Sequence, residues 1–256
     1  MKNIMKAQLF QLQKERLCFI VLAVMLIFVM YTAWFADYAT SGDVSGGEFF
    51  VENISMILQL IQLPILMLVG QMCVGDFTDK TANFELMGGH KRCEVYLGRA
   101  IPAILVNMLL SLISIIIPLV FMTCLAGWGI EVIFSHFILR LSMILLVQFR
   151  LICMFVFFSF LVKNQFVVMG IAYLYFALNL SGIFSETASP MLTITNFNLL
   201  YGMGGWYTYG IEDSVNLTYD LTMTAPEIAW TVIASLGVSA VALALGYVFF
   251  KNDDMN

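Results

Sequence analysis

Long apolar runs separated by short polar stretches make up almost the whole chain. The runs lie at roughly 17–36, 54–75, 101–125, 137–162, 166–184 and 226–250. Each reaches or approaches the ~20 apolar residues that a helix needs to cross a bilayer. The pattern predicts an all-α integral membrane protein with six transmembrane helices, residues 1–256 forming a single transmembrane domain. The first run is too long for the apolar core of a signal peptide and lacks a small-x-small exit, so it reads as a retained span. Tyr31 and Trp34 sit near its far end, as residues of an interfacial aromatic belt do. In the second run Pro64 predicts a kink. Gln59, Gln62 and Gln71 give that run a polar stripe that should face other helices. Before the first run, Lys2, Lys6, Lys14 and Arg16 oppose Met5, Leu9 and Leu12. Residues 1–16 therefore read as an amphipathic helix lying on the membrane surface, and equally as a basic flank that sets orientation.

Composition agrees: 61% of the 256 residues are hydrophobic and 11% are charged, with a mean hydropathy of +0.91. A soluble domain of this length could not bury so much apolar surface. The net charge of −5 matters less than where each sign falls. Lys2, Lys6, Lys14, Arg16, Lys80, Lys91, Arg92, Arg99, Lys163 and Lys251 all lie on one side of a six-span chain. The opposite loops hold Asp37, Asp43, Glu48, Glu52, Glu131, Glu186, Glu212, Asp213, Asp220 and Glu227, with no Lys or Arg. The positive-inside rule then places both termini in the cytoplasm. The five cysteines suggest neither a disulfide framework nor a zinc site, and His90 and His136 have no partners at metal-ligand spacing. No P-loop, zinc-protease or nucleophile-elbow motif occurs, so neither nucleotide binding by that route nor the common hydrolase chemistries are indicated. The chain reads as non-catalytic, with no metal and no nucleic-acid partner.

Three places could carry function. The first is residues 76–99, the only long polar segment on the basic side. Phe77, Thr81, Phe84 and Leu86 or Met87 recur there at helical spacing, which makes one face of a short helix apolar. Such a helix could dock a soluble partner or merely close a loop. The second is Arg150, which the fourth run puts near mid-bilayer. A charge there costs about 2.5–3.5 kcal/mol even on the lenient insertion scale. With no carboxylate inside any run except Glu227 at the outer start of the last, Arg150 must face a hydrated cavity, carbonyls, or polar side chains such as Gln59, Gln62, Asn107 or Asn179. It is either a wall of a substrate path or a clamp inside the bundle. The third is 185–225, where Tyr201, Trp206, Tyr207 and Tyr209 alternate with glycines. The outer acidic residues could attract a cationic substrate, or could merely reflect the exclusion of Lys and Arg.

The chain resembles the ABC-2 type permease family, the six-span half of an ATP-driven bacterial exporter. The resemblance rests on the segment after the second run: Asp76-Phe77, then Thr81, Glu85-Leu86, Gly88-Gly89, Lys91-Arg92 and Val95-Tyr96-Leu97-Gly98-Arg99. Lys80 stands where the family has a glycine. The resemblance implies a bacterial plasma-membrane location and an N-terminal interfacial helix. It implies a cytoplasmic coupling helix between spans 2 and 3, and re-entrant outer helices between spans 5 and 6. Asp76, Phe77, Asp79, Thr81, Phe84, Glu85, Leu86 and Arg92 would couple to a separate ATPase subunit, which would hold the ATP and magnesium. Arg150, Gln59 and Gln62 would line the path, and Tyr201, Trp206 and Tyr207 would form an outer gate. A second permease subunit would complete the transporter, and an amphiphile, antimicrobial peptides leading, would be its cargo. A secondary transporter should show intramembrane carboxylates and repeated halves, and neither appears. A non-transporting scaffold or sensor partner is the other alternative.

Overall fold

A computed structural model of the chain describes residues 2–14, 16–39, 45–78, 89, 91–129, 133–180 and 225–252. Every element among them is an α-helix: α1 (Lys2–Lys14), α2 (Arg16–Ala39), α3 (Gly46–Thr78), α4 (Arg92–Ala126), α5 (Phe134–Val162), α6 (Gln165–Leu180) and α7 (Ala225–Asn252). Arg92–Ala126, Phe134–Val162 and Ile228–Asn252 are each long and apolar enough to cross a membrane. Shorter apolar stretches occupy Leu22–Tyr31, Leu60–Gly75 and Gln165–Tyr175.

The outward faces identify their solvent. On α4, Leu105, Leu109, Ile113, Ile116 and Val120 stand exposed at three- and four-residue spacing. On α7, Trp230, Ile233, Val241, Leu245 and Val248 do the same, and on α2 so do Ile20, Val24, Ile27, Tyr31 and Trp34. Soluble monomers rarely expose apolar patches beyond a few hundred Å². In lipid such faces carry no penalty, while the helix satisfies every backbone group internally. The chain is a helical membrane protein.

The bundle is built around α3 and α5. Between Ile57 and Val74, α3 is buried at nearly every described position, and the apolar stretch of α5 is 61% buried against 28% for α4 and α7. The most extensive seams are α5 with α7 and α3 with α4; α6 packs chiefly on α3, and α1 on α4. Close approach along α5–α7 depends on small residues. Thr231, Ser235, Ser239, Ala242 and Gly246 form the buried face of α7, and a Cβ at Gly246 would meet Tyr96 Oη at 2.9 Å and Phe157 Cα at 3.5 Å.

Contacts between helix ends sort the bundle into two poles. At one pole the start of α3 meets the end of α4: the Gly46 and Gly47 amides donate to the Gly127 and Trp128 carbonyls at 2.8 and 3.0 Å. Phe50 and Trp128 both pack edge-on against Phe137 of α5 there. At the other pole the end of α3 lies beside the start of α6, a Cβ at Gly75 falling 3.8 Å from Gln165 Oε1. There too, Arg92 of α4 donates to the Lys251 carbonyl of α7, and Ile4 of α1 lies against Gly98. The second pole therefore gathers Arg92, Lys163, Lys251 and the basic α1.

Several expectations need correction. The second helix starts at Gly46 rather than about 54, because Gly46, Gly47, Phe49 and Phe50 are buried in the α3–α4 junction. The third starts at Arg92 rather than 101. Val95, Tyr96 and Ala100 are buried, and the helix runs on through Pro102. Segment 76–99 is thus not one polar helix: Asp76–Thr78 end α3 and Arg92–Arg99 open α4. Arg99, expected in that polar segment, is fully buried. On α1 the bundle covers Ile4 and Gln8, while Leu9 and Phe10 stay exposed. The helix therefore docks on α4 through one face and leaves two large apolar side chains for lipid.

Candidate functional site

The anchors between helices fix which residues share a level. α3 and α4 run antiparallel, joined at Gly46–Gly127 and again where Asn107 Nδ2 lies 3.9 Å from Met72 Sδ. Between those points Gln62 falls opposite Ser111 and Ser114. α3 and α5 run parallel from the Phe50–Phe137 pair, which brings Gln148 and Arg150 to the level of Gln62. α5 and α7 also run parallel, with Gly246 beside Phe157, and this sets Ser235 and Ser239 at that height. Tyr175 of α6 packs edge-on against Phe155, 5.9 Å between ring centres, within electrostatic reach of Arg150.

The middle of the bundle therefore carries a polar layer drawn from five helices. Arg150 is 1% exposed, Gln62 3%, Gln148 2%, and Ser114 and Ser235 are fully buried. Some of its members are satisfied locally. Ser111 Oγ donates to the Asn107 carbonyl at 2.8 Å, and Ser239 Oγ to the Ser235 carbonyl at 2.7 Å. Others are not: Gln62 Nε2, Ser114 Oγ and Ser235 Oγ make no hydrogen bond among the described residues. Unused polar groups in a bundle core are costly. They mark where water or another polar group gains most.

The predicted path residues fare unevenly. Arg150 and Gln62 lie together in this layer, whereas the side chain of Gln59, in α3, lies outside the described residues, as does that of Asn179. Asn107, expected as a partner of Arg150, sits further along α4 toward the basic pole, donates to the Ala103 carbonyl at 2.7 Å and faces Met72. Gln148, Ser114, Tyr175 and Ser235 were missed. Their signal was a polar residue within an apolar run, and for Thr231, Ser235 and Ser239 a spacing of four.

Of the predicted coupling residues, Asp76 and Phe77 lie in the last turn of α3, their side chains outside the described residues. Asp79, Thr81, Phe84, Glu85 and Leu86 lie outside them altogether, as do the gate residues Tyr201, Trp206 and Tyr207. Arg92 is described: its guanidinium turns toward α7 and caps the last turn at the Lys251 carbonyl. One turn on, Tyr96 ties three helices together. Its hydroxyl donates to the Leu243 carbonyl at 2.8 Å, and its ring lies 4.6 Å from Phe160, 5.7 Å from Tyr247 and 6.1 Å from Phe250. Replacing Tyr96 by Phe keeps the ring contacts and removes one hydrogen bond. The expected loss is about 1 kcal/mol of stability, read as a lower melting temperature of the detergent-solubilised protein.

No family model matches the chain, and no curated protein matches it.

Proposed function

We propose that the chain is the membrane-spanning permease subunit of an ATP-driven exporter of the ABC-2 type. In this reading α2 to α7 are six spans and both termini are cytoplasmic. The observation that carries it is where one connection emerges. Residues 79–90, which hold Asp79, Thr81, Phe84, Glu85 and Leu86 of the eight proposed coupling residues, join the end of α3 to the start of α4 at the pole that also gathers α1, Arg92, Lys163 and Lys251. By the positive-inside rule that pole is cytoplasmic, where a soluble ATPase could reach the connection. The mid-bundle layer around Arg150 supports the same reading, since an amphiphile in transit needs polar groups at that depth. An ATPase subunit carrying ATP and magnesium, and a second permease subunit, complete the machine. The cargo is an amphiphile, and a cationic antimicrobial peptide suits the acidic outer loops best.

The test is co-purification from native membranes. A soluble P-loop ATPase should accompany the tagged wild-type chain and be lost from a Phe84→Asp/Glu85→Lys double variant that still inserts normally. If no ATPase accompanies the wild type under conditions that keep membrane complexes intact, the exporter reading fails and a non-transporting scaffold takes its place.

A further inference from the structure

One face of α4 carries polar residues into the middle of the bundle. Asn107, Ser111 and Ser114 lie within about 60° of one another around the helix axis, and all three are buried. Leu105, Leu109, Ile113 and Ile116 stand exposed on the opposite side. Arg99, fully buried, continues the polar residues toward the basic pole. The helix that covers this face is α3. Asn107 meets Met72, Arg99 is within electrostatic reach of Cys73, and Gln62 falls at the level of Ser114. From Arg99 to Ser114 the polar residues span about 22 Å of helix at 1.5 Å per residue.

Part of this seam is satisfied within α4. Asn107 Nδ2 donates to the Ala103 carbonyl at 2.7 Å, and Ser111 Oγ to the Asn107 carbonyl at 2.8 Å. The rest is not. Gln62 Nε2, Asn107 Oδ1 and Ser114 Oγ make no hydrogen bond among the described residues, although Gln62 is 3% exposed and Asn107 and Ser114 are fully buried. Two prolines add to the shortfall. Pro64 and Pro118 have no N–H, so the Leu60 and Ser114 carbonyls lack the donor that a helix supplies. The unused groups are a mixed set: an amide N–H, an amide oxygen and backbone carbonyls, and a hydroxyl that both donates and accepts. A cation would meet the Gln62 amide protons and the charge of Arg99. An anion would meet the carbonyls. Water, which donates and accepts, suits them all.

We propose that the α3–α4 seam is a path for water. The two helices part there, and water enters from the basic pole as far as Gln62 and Ser114, where it takes the hydrogen bonds that the shut seam leaves unmade. Helix bends concentrate at proline, and α3 and α4 each carry one near this level, so the parting is local and spares the Gly46–Gly127 junction at the opposite pole. The path goes beyond the exporter reading and needs only that the bundle sits in a bilayer.

The experiment labels thiols of the full-length chain in liposomes with hydroxyethyl methanethiosulfonate. This small hydrophilic reagent attacks only the thiolate, which forms where water reaches, and peptide mass spectrometry reads each site. In the wild type, Cys73 should react at least about tenfold faster than Cys153. Both are fully buried, but Cys153 is hydrogen-bonded to Ser239 on the α5–α7 seam. Ser114→Cys, a nearly isosteric change, should outpace Leu109→Cys on the lipid face by a similar factor. Met122→Cys, buried on the same side of α4 beyond Ser114, should stay slow. An unchanged melting temperature shows that Ser114→Cys is folded, and the wild-type comparison decides the matter if it is not. Cys73 reacting no faster than Cys153 would overturn the proposal, as would equal rates in Ser114→Cys and Leu109→Cys. Met122→Cys reacting as fast as Ser114→Cys would overturn entry from the basic pole. Because the isolated chain is used, failure here leaves the ATPase reading untouched, and the reverse holds.

Discussion

Gly46→Ala should destabilise the bundle by about 3 kcal/mol, from an overpacking cost of roughly 1–3 kcal/mol together with weakened hydrogen bonds worth about 1 kcal/mol each. An alanine Cβ at this position would lie 2.7 Å from the Gly127 oxygen, 2.9 Å from the Thr123 nitrogen and 3.0 Å from the Met122 carbonyl carbon. All three are backbone atoms, so no side chain can swing away to make room. Relief requires the start of α3 to move off the end of α4, which stretches the bonds from the Gly46 and Gly47 amides to Gly127 and Trp128. The aromatic group that Phe50, Trp128 and Phe137 form at the same pole would part with it. Helix propensity makes the opposite forecast, since alanine exceeds glycine by about 0.8–1 kcal/mol inside a helix. The two effects separate in a control. Gly237 lies within α7 with nothing within 4 Å of a built Cβ, so Gly237→Ala should hold or raise the melting temperature while Gly46→Ala lowers it. Equal shifts in the two variants would mean that the α3–α4 junction is not the tight contact described.

That junction was invisible in the apolar runs, and the reason is physical. Hydropathy reports where the bilayer core begins and ends, not where a helix does. The 33 residues of α3 and the 35 of α4 correspond to helices of about 50 Å at 1.5 Å per residue, against a hydrocarbon core of about 30 Å. Their surplus turns lie outside the core, where charged residues are tolerated. The second span was therefore expected to begin only at 54, after Phe49 and Phe50, and the third only at 101, after Tyr96. Helices lying mostly within the core were bounded closely: 137–162 was expected for α5, which covers Phe134–Val162, and 226–250 for α7, which covers Ala225–Asn252.

The candidate site was legible in depth but not in rotation. Position along an apolar run is enough to put Arg150 and Gln62 near mid-bilayer. Whether Ser114 or Ser142 turns inward depends on how each helix is rotated in the bundle, and a run that is apolar on every face does not encode that. Ser114 is buried and Ser142 is exposed, though both are serines within apolar runs. Arg99 is the converse case. Its charge and its place among polar residues suggested water, yet α1, docked through Ile4 beside Gly98, and the neighbouring α3 enclose that part of α4. A long-range contact overrode the local pattern.

Arg150→Met should separate folding from transport more sharply than any other substitution. The side chain is 1% exposed in the centre of the bundle, so methionine keeps much of its length while removing the charge. Holding a cation at that depth costs about 2.5–3.5 kcal/mol, and methionine removes that cost. The melting temperature should therefore hold or rise. Arg150→Ala removes the stem too and should cost about 2–5 kcal/mol, as truncations to alanine in a packed core do. Under the exporter reading, Arg150 is the cation of the layer that also contains Gln62, Gln148, Ser114 and Ser235. ATP-driven efflux from cells or proteoliposomes should then fall at least about tenfold in Arg150→Met, corresponding to about 1.4 kcal/mol of lost stabilisation of the cargo in transit. Arg150→Lys keeps the charge without the planar fork and should fall between the two. A lower melting temperature in Arg150→Met would make the residue a clamp that holds the bundle. Unchanged efflux at an unchanged melting temperature would remove Arg150 from the path and move it to the faces of α3 and α4 that present Gln62 and Ser114.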